Sequence, residues 1–550
     1  MKRNLLLVLI LVFAFVIRIW LIDQVPPSLN WDEVSHGYNA YSVLKTGRDE
    51  WGVHLPHIFR AYGDYKLPVY IYLTVVSEFF FGINTLAVRL PSVLAGTISV
   101  LFTYLLVNKL FNREKIALIS ALLLAIEPWD LFLSRIALEA NVALSLIIAG
   151  VYFLLAGLKK KNYLLVAGVI LLGLSVWTYN SARIFVPLLL AAIAFIYKSE
   201  IKEIVRQNRL VFTISLLFMI IFFVPMFTQL SQITGTARYE NVQILDQGAT
   251  GKIIELRKNS PFGKAITRAV YNKATYFVAN FAVNYARHFS PGFLYSKGGD
   301  NYQFSIPNTG LLYFVNIPFF LLGLWVFFKS HCKEKQGRLI ILWLILAPIA
   351  SSFTRESPHA LRAIVMLPIP MLLTSLGISH VLKNGYNSKL IMTVLAITLF
   401  ISFTDYFHKY TSDYRVNYSW TWQYGYDQAV TKIKTNYDNY EKFVITKKYG
   451  EPHEFLLFYW PWDPSRYQKE DKVRYFQSNW YWVDNFDKFY FVNDWDIPKT
   501  GSRFILESGG EFDCASCLLV TSPGNAPENW KKIDTVYFLN GEAALEIYEH

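Results

Sequence analysis

The sequence has 550 residues, of which 53% are hydrophobic and 17% aromatic, and it carries a formal net charge of +12. This apolar fraction is too high for a soluble protein of this length, whose surface residues would dilute the core. The basic residues recur in short clusters between apolar runs instead of forming one patch, which excludes nucleic acid as the expected partner. Composition therefore predicts a polytopic protein of the lipid bilayer.

About eleven apolar stretches approach the roughly 20 residues that cross a bilayer. The first seven lie at about 5–22 and 86–107, two between 115 and 159, two between 161 and 198, and one at about 211–230. The other four are one at about 311–328, one that ends at about 353, and two on either side of 383–389, the second ending at about 407. Because Lys and Arg clusters fall on alternate turns, we expect the N-terminus in the cytoplasm and the C-terminus outside. Arg18, near the outer end of the first span, is interpreted as an interface residue.

Two loops and the C-terminal region are expected on the outer side. The loop 23–80 is mixed polar and aromatic and is expected to form short interfacial helices, and 231–308 is expected to be a second, long polar loop. From about 408 the hydropathy falls, strand-like patterns occur at Lys442–Thr446 and Cys517–Thr521, and a helical period covers Tyr426–Tyr437. The predicted fold is an α-helical polytopic membrane domain, 1–407, followed by an extracytoplasmic α/β domain, 408–550.

Cys514 and Cys517 form a lone Cys-x-x-Cys motif. Such a motif fits a small disulfide, a redox motif or half of a metal site. With no second Cys pair in the sequence, we favour an incidental or structural pair outside the cytoplasm. Cys332 falls in a predicted cytoplasmic loop and is expected to stay reduced.

Asp32 and Glu33 are adjacent carboxylates a few residues beyond the first apolar stretch. Taken alone they could be solvated acids of a loop, but a carboxylate held at a membrane surface beside apolar walls can act as a general base. Further ionisable residues share the predicted outer ends of the spans. The candidate site residues are Asp32, Glu33, Lys66, Arg89, Glu139, Arg183, Arg355, His359 and Arg362.

Ionisable groups at membrane depth are costly and usually face a functional cavity. Several cations at one leaflet suit a phosphate, and a carboxylate beside them suits activation of a hydroxyl. Together they meet the requirements of glycosyl transfer from a phospho-sugar.

Each of these residues also has a structural interpretation. Lys66 could anchor to anionic headgroups, Arg89 or Arg183 could pair with Glu139, and His359 could cap a helix. Asp130 and His36 are interpreted as structural.

A metal is only weakly indicated by the sequence. His36, His54 and His57 share the first loop with acids, but their spacing matches no recognised ligand signature. A divalent cation could help to neutralise a phosphate, although the Lys and Arg residues could do so without it. No metal site and no certain cofactor are predicted.

The order and spacing of five short motifs resemble the GT-C superfamily of membrane glycosyltransferases. The closest resemblance is to the branch of the protein O-mannosyltransferases and the lipid A aminoarabinose transferases, and it is strongest over about Leu5 to Arg209. The motifs are Trp31-Asp32-Glu33, Tyr65-Lys66-Leu67-Pro68-Val69-Tyr70, Arg89-Leu90-Pro91-Ser92, Glu127-Pro128-Trp129 with Ser134-Arg135 and Glu139, and Pro358-His359-Ala360-Leu361-Arg362. The chain departs from the common pattern at Leu67, where a second Pro is usual.

This resemblance implies a polyprenyl-phosphate sugar donor, inversion at the anomeric carbon and an active site at the extracytoplasmic face. It implies that Asp32 is the general base, that Glu33 supports it, and that Lys66 and the Arg cluster hold the donor phosphate. We therefore expect an inverting glycosyltransferase of the cell (plasma or inner) membrane, with a protein, lipid or glycan as acceptor. The alternative is a polytopic transporter or flippase of lipid-linked sugars, which the absence of an apparent internal repeat in the sequence disfavours.

Overall fold

A computed structural model describes residues 2–158, 162–232, 239–240, 242–384, 387–477 and 480–550. The chain divides into two compact units. The first comprises Met1–Trp20, Ser92–Ser134 and Leu138–Tyr406, and the second comprises Leu21–Pro91, Arg135–Ala137 and Phe407–His550. The first unit is helical, and the second combines helices with a seven-stranded sheet. The basic stretch 159–161, predicted to be a cytoplasmic turn, lies outside the described residues.

Each apolar stretch predicted from the sequence coincides with a helix. These helices are Lys2–Ile19, Thr85–Phe111, Glu114–Ile126, Glu139–Gly157, Tyr163–Val176, Ala182–Ile196, Arg209–Leu230, Ile317–Ser330, Lys335–Leu346, Ile369–Asn384 and Ser388–Lys409. The agreement arises because a long apolar run is satisfied in a bilayer by a helix, which pairs its own backbone groups.

Five helical segments within the described ranges are long and apolar enough to cross a membrane. They are Thr85–Phe111, Glu139–Gly157, Arg209–Leu230, Ile364–Lys383 and Ser388–Asn417. A sixth candidate is the pair Ala182–Ile196 and Lys198–Gln207, which is bent by 81°. Most of the other helices are shorter, so the number of eleven spans and their orientation stay predictions.

Glycines allow two of the helices to pack closely. A Cβ at Gly323 would collide with the carbonyl oxygen of Leu373, and a Cβ at Gly377 would collide with that of Phe319. These residues belong to helices Ile317–Ser330 and Ile369–Asn384. Small residues at helix interfaces let backbones approach and gain dispersion contacts where lipid offers no hydrophobic driving force.

The predicted second outer loop contains α-helices. They are Gln247–Lys258, Lys264–Val270 and Lys273–Arg287. In the last helix Phe277, Phe281 and Tyr285 stack at a spacing of four residues, with successive ring centroids 6.3 Å apart. This spacing puts the three rings on one face, so the segment is an amphipathic helix and not an irregular polar loop. Residues 233–238 and 241 of this region lie outside the described part of the chain.

The first loop holds two helices, Trp31–Thr46 and Pro68–Phe81, with a short hairpin between them. The hairpin pairs strands β1 (Phe59–Arg60) and β2 (Tyr65–Lys66). The first helix ends at Gly47, whose φ of 68° is the left-handed conformation that glycine adopts without steric cost. Helices are therefore present in this loop as predicted, and their position at a membrane surface stays a prediction.

The C-terminal region forms a sheet with the strand order β10-β11-β9-β3-β6-β5-β4. The predicted strands at Lys442–Thr446 (β3) and Cys517–Thr521 (β9) are confirmed, as is the helix at Tyr426–Thr435. The other strands of this sheet are β4 (Val473–Gln477), β5 (Trp480–Phe486), β6 (Phe489–Val492), β10 (Lys531–Tyr537) and β11 (Ala543–Glu549). Strands β7 (Arg503–Ile505) and β8 (Glu511–Asp513) pair with each other outside this sheet. Strand β3 lies at the centre and runs parallel to both β6 and β9.

Both faces of β3 are buried, which explains its continuous apolar run. Phe443 and Ile445 belong to one core cluster, and Val444 belongs to the cluster on the opposite face. The first cluster also contains Tyr38 of the first loop. The first loop and the C-terminal sheet therefore share one hydrophobic core.

Cys514 and Cys517 are joined by a disulfide in the second of these clusters, and their Cα atoms are 5.5 Å apart. The pair is therefore structural, which is the interpretation that the sequence favoured.

Candidate active site

Asp32 and Lys66 form an ion pair in the second unit. Lys66 Nζ lies 2.5 Å from Asp32 Oδ1, and the Asp32 side chain remains 38% exposed whereas that of Lys66 is 8% exposed. Strand β2 presents Lys66, and the first turn of helix Trp31–Thr46 presents Asp32, where the helix dipole favours a negative charge. An accessible carboxylate beside an ammonium group can accept a proton from a bound hydroxyl and attract an anion.

Glu33, the neighbour of Asp32, is fully buried and points into the protein. Its carboxylate accepts hydrogen bonds from Arg89 Nε at 2.9 Å, Arg89 Nη2 at 3.0 Å and the Ala137 N–H at 2.9 Å. The Asn30 N–H donates to the same carboxylate at 3.2 Å, and Asn30 Oδ1 accepts from the Glu33 N–H at 3.0 Å, which completes a capping box. Glu33 therefore holds the start of the helix that presents Asp32.

The Arg89 guanidinium is saturated by protein acceptors. Besides Glu33, it donates to the carbonyl oxygens of Ile22 at 2.8 Å, Pro26 at 3.0 Å and Ser28 at 2.6 Å. These bonds use all five N–H groups of the side chain. Arg89 thus pairs with Glu33 and not with Glu139, and this geometry favours a positioning role. Its predicted contact with a donor phosphate stays a prediction.

Two other predicted residues, Arg183 and Arg362, line a cavity of about 320 Å³ in the helical unit. Arg183 donates from Nε to the Val176 carbonyl at 3.1 Å, while its buried Nη2 has no hydrogen-bond partner among the described residues. Arg362 donates to Thr354 Oγ1 at 2.8 Å and to Glu356 Oε2 at 2.9 Å. A buried guanidinium edge with unused donors is suited to bind an anion in this cavity.

Arg355 and His359 line a second cavity of about 450 Å³ in the same unit. Arg355 Nη1 lies 2.9 Å from Asp246 Oδ2, and hydrogen bonding to Arg355 lowers the pKa of the Asp246 carboxyl. His359 Nδ1 accepts the Arg362 N–H at 3.4 Å, a cap-like bond that matches its structural interpretation. Both remain candidates, since each retains access to the cavity.

Glu139 is the first residue of helix Glu139–Gly157 and is buried. The helix dipole favours a carboxylate at this position. The structure thus places Asp32, Glu33, Lys66 and Arg89 together in the second unit. It places the remaining five candidates, Glu139, Arg183, Arg355, His359 and Arg362, in the helical unit.

The interpretation of Arg18 as an interface residue is wrong. Its side chain is fully buried, and Nη2 lies 2.6 Å from Asp130 Oδ2. It also donates to the carbonyl oxygens of Ala14 at 3.0 Å and Ala125 at 3.1 Å. Asp130 is structural, as predicted, because it supplies the charge that makes burial of this arginine tolerable.

Glu127 belongs to one of the five motifs, but the sequence alone predicts no role for it. Its buried carboxylate accepts the Tyr313 N–H at 3.1 Å and a hydrogen bond from Asn316 Nδ2. Nearby, Trp129 Nε1 donates to the Ala360 carbonyl at 2.9 Å and fixes the turn that carries His359. The sequence signal for this role of Glu127 is an acid inside an apolar stretch, directly before Pro-Trp.

Comparisons with known proteins agree with this architecture. Residues 66–228 match the family model described as dolichyl-phosphate-mannose-protein mannosyltransferase. No curated protein sequence matches the chain.

Solved structures share the fold at low sequence identity. ArnT from Cupriavidus metallidurans, determined with undecaprenyl phosphate bound, aligns with a TM-score of 0.51 at 12% identity, covering 99% of this chain and 97% of that one. The archaeal oligosaccharyltransferase AglB from Archaeoglobus fulgidus, in complex with an inhibitory peptide and a dolichol-phosphate, aligns with a TM-score of 0.50 at 14% identity over 83% of this chain. This chain spans 63% of the length of that enzyme.

The fold is that of the GT-C membrane glycosyltransferases. Together with the family match, it confirms the resemblance to the branch that holds the protein O-mannosyltransferases and the aminoarabinose transferases. None of these comparisons supports the transporter or flippase alternative.

Proposed function

We propose that this chain is an inverting glycosyltransferase that moves a sugar from a polyprenyl phosphate to a hydroxyl of a protein, lipid or glycan at the extracytoplasmic membrane face. The observation that carries the proposal is the Asp32–Lys66 pair, an accessible carboxylate 2.5 Å from a buried ammonium group. Support for the donor class comes from ArnT and AglB, which share the fold and were solved with undecaprenyl phosphate and dolichol-phosphate.

In the proposed reaction the acceptor oxygen attacks the anomeric carbon of the sugar opposite the phosphate. The bond between that carbon and the phosphate oxygen breaks, and its electron pair leaves with polyprenyl phosphate. The hydroxyl proton passes to the Asp32 carboxylate as the new bond forms. Attack from the opposite face inverts the anomeric configuration.

Lys66 has two roles in this proposal. Without substrate it neutralises Asp32, and with donor bound its ammonium group shifts to the phosphodiester, whose negative charge grows as the bond to the sugar breaks. The exchange leaves Asp32 without its counter-ion when the acceptor needs a base. The same ammonium group then stabilises the charge that develops on the leaving phosphate, so this phosphate needs no proton.

The surrounding residues have supporting roles. Glu33 and Arg89 fix the helix start that carries Asp32, since their carboxylate and guanidinium are satisfied by each other and by backbone groups. Within the helical unit, Arg183 and Arg362 line a cavity suited to an anion. A metal is not required by this scheme.

The test uses the full chain purified in detergent, a panel of polyprenyl-phosphate sugars and a membrane extract as the source of acceptors. The measurement is release of free polyprenyl phosphate. We expect release by the parent protein and a loss of about 10²- to 10⁴-fold in Asp32→Asn, the usual contribution of a general base. Asp23→Asn, which removes an exposed acid of the same loop, is the matched control and should retain activity.

Two results would contradict the proposal. Equal turnover in Asp32→Asn would refute the assignment of the base while leaving the class of enzyme intact. Binding of the donors without release of polyprenyl phosphate from any of them would refute the transferase itself.

A further inference from the structure

Three side chains of metal-ligand type, none of them a member of the Asp32–Lys66 pair, meet in the second unit. Glu50 follows the first-loop helix, and His453 and Glu454 lie in the first turn of helix Pro452–Tyr459. Their ligand atoms all lie within 4.8 Å of one another, and His453 Nε2 is 3.8 Å from Glu454 Oε1. Each residue is at most 3% exposed. This Glu50/His453/Glu454 cluster joins residues about 400 positions apart.

The inward-facing atoms of this cluster are not satisfied by the protein. His453 Nε2 and both carboxylate oxygens of Glu454 have no hydrogen-bond partner of normal geometry among the described residues. Lone pairs of two acids and one imidazole thus converge where water does not reach them.

Nearby cations do not neutralise the cluster directly. Lys447 is held by Asp484, and the Arg474 guanidinium stacks on the Trp51 ring at 3.9 Å. Among the described residues neither cation forms an ion pair with Glu50 or Glu454. Arg474 therefore stabilises the Glu50 carboxylate only through space, without a direct contact.

The residues that surround the cluster are of the kind that orient metal ligands in proteins. Asn39 Nδ2 donates to Glu50 Oε1 at 2.9 Å, which leaves the second oxygen of this carboxylate for another contact. Glu451 Oε2 lies 3.5 Å from His453 Nδ1, and Trp480 Nε1 donates to Glu451 Oε1 at 2.9 Å. Glu451 Oε2 makes no hydrogen bond of normal geometry at this distance, but a slightly closer approach would orient the imidazole and leave the lone pair of its other nitrogen for a metal.

We propose that Glu50, His453 and Glu454 bind a divalent transition-metal ion of the Zn²⁺ type. One imidazole nitrogen and two carboxylates belong to the ligand repertoire of zinc, with a water molecule as the fourth ligand. Ligands of a tetrahedral zinc ion lie roughly 3.3 Å apart. The present separations are 3.8 Å between His453 Nε2 and Glu454 Oε1 and at most 4.8 Å across the cluster, so the side chains must move inward to bind the ion. The ion would tie the first loop to the C-terminal sheet.

The metal itself is the probe of the first experiment. The full chain is purified in detergent without a polyhistidine tag, and its metal content is measured by mass spectrometry. We expect about one equivalent of zinc or another first-row divalent ion. After treatment with a chelator, ZnCl₂ should restore this equivalent and raise the thermal unfolding temperature. Less than a tenth of an equivalent after incubation with excess ZnCl₂, with no shift in unfolding temperature, would overturn the proposal.

Substitutions of the proposed ligands test where the ion binds. Glu454→Gln and His453→Gln should each lose the bound metal and the unfolding shift produced by ZnCl₂. Glu451→Gln, which changes an outer partner, should weaken metal binding by about 10- to 100-fold without abolishing it. The matched control is Glu78→Gln, a buried glutamate of the same unit outside the cluster, which should retain the metal.

Two other results would also overturn the proposal, namely retention of the metal by the first two variants or sulfur ligands in the X-ray absorption spectrum. Because the readout is metal content, the outcome does not depend on transferase activity.

Discussion

Glu33 and Arg89, 56 residues apart in the sequence, form a fully buried two-point ion pair directly beside Asp32, whose carboxylate stays 38% exposed. Two adjacent acids therefore have opposite surroundings. The buried acid has its oxygens occupied by four N–H donors, while the exposed acid keeps access to a substrate. This division indicates a positioning role for Glu33 and supports the proposal that Asp32 is the base.

Replacement of Glu33 by Gln should destabilise the protein strongly. The amide cannot compensate the buried Arg89 charge, and loss of one partner of a buried ion pair costs about 3–5 kcal/mol. The unfolding temperature of the purified protein in detergent measures this effect. Asp32→Asn serves as the control and should cost no more than about 1 kcal/mol, because the Asp32 side chain is partly exposed. Similar unfolding temperatures for the two variants would show that the buried pair is dispensable.

Lys66→Ala and Asp32→Asn should affect different kinetic constants. Loss of the ammonium group should raise the KM for the donor by about 10- to 100-fold, since a hydrogen bond to a charged group is worth about 1.5–3 kcal/mol. Loss of the carboxylate should lower kcat with little change in KM, because Lys66 remains to hold the phosphate. Lys45→Ala removes an exposed lysine of the same loop and should change neither constant. An unchanged KM in Lys66→Ala would place the phosphate elsewhere.

Arg183→Gln tests the cavity of the helical unit. Its Nη2 has no partner among the described residues, so removal of the guanidinium sacrifices few internal hydrogen bonds. We expect a small change in unfolding temperature and an affinity for inorganic phosphate weaker by about 10- to 100-fold, measured by equilibrium binding. Arg268→Gln, which removes an exposed arginine of the same unit, is the control and should leave this affinity unchanged. Equal phosphate affinity in the parent and in Arg183→Gln would exclude the cavity as an anion site.

The sheet should lose part of its stability in acid through Glu546. Burial raises the pKa of this carboxyl, but hydrogen bonds from Lys532, the Gly524 N–H and Tyr548 outweigh burial and lower it overall. A group with a lowered pKa in the folded state stabilises the fold above its unfolded pKa of about 4.3 and stops doing so as the pH falls through the folded value. Unfolding followed between pH 3 and pH 6 should therefore depend less steeply on pH in Glu546→Gln. An identical pH dependence in both proteins would contradict this assignment.

The helices were predictable because hydropathy is a local property of the sequence. The run from Val211 to Leu230 indicates a helix whatever it contacts, and the helix Arg209–Leu230 is found there. The amphipathic helix Lys273–Arg287 was not predicted, because the polar residues on its other face lower the hydropathy of the whole segment. Strands β3 and β9 were predictable for the same local reason, whereas the parallel pairing of β3 with β6 and β9 was not, because strand pairing depends on distant segments.

The sequence predicts the candidate site as a set of residues, and it could not predict the contacts among them. The resemblance of motifs identified Asp32 and Lys66, and the structure adds that they contact each other. Arg18 was assigned to the interface because it lies near the outer end of the first apolar stretch, and its partner Asp130 lies 112 residues away. The Glu50/His453/Glu454 cluster was missed because Glu50 also lies far from the other two residues in the sequence.

The shared core of the first loop and the C-terminal sheet has a consequence for biosynthesis. Tyr38 and Tyr62 pack with side chains such as Leu457 and Phe486, yet more than 300 residues are translated between the two segments. At about 5–20 residues per second, the first loop emerges roughly 15–60 s before its partner exists. During that interval its apolar face needs another cover, such as lipid or a chaperone, and the segment that carries Asp32 reaches its final form only when the last part of the chain arrives.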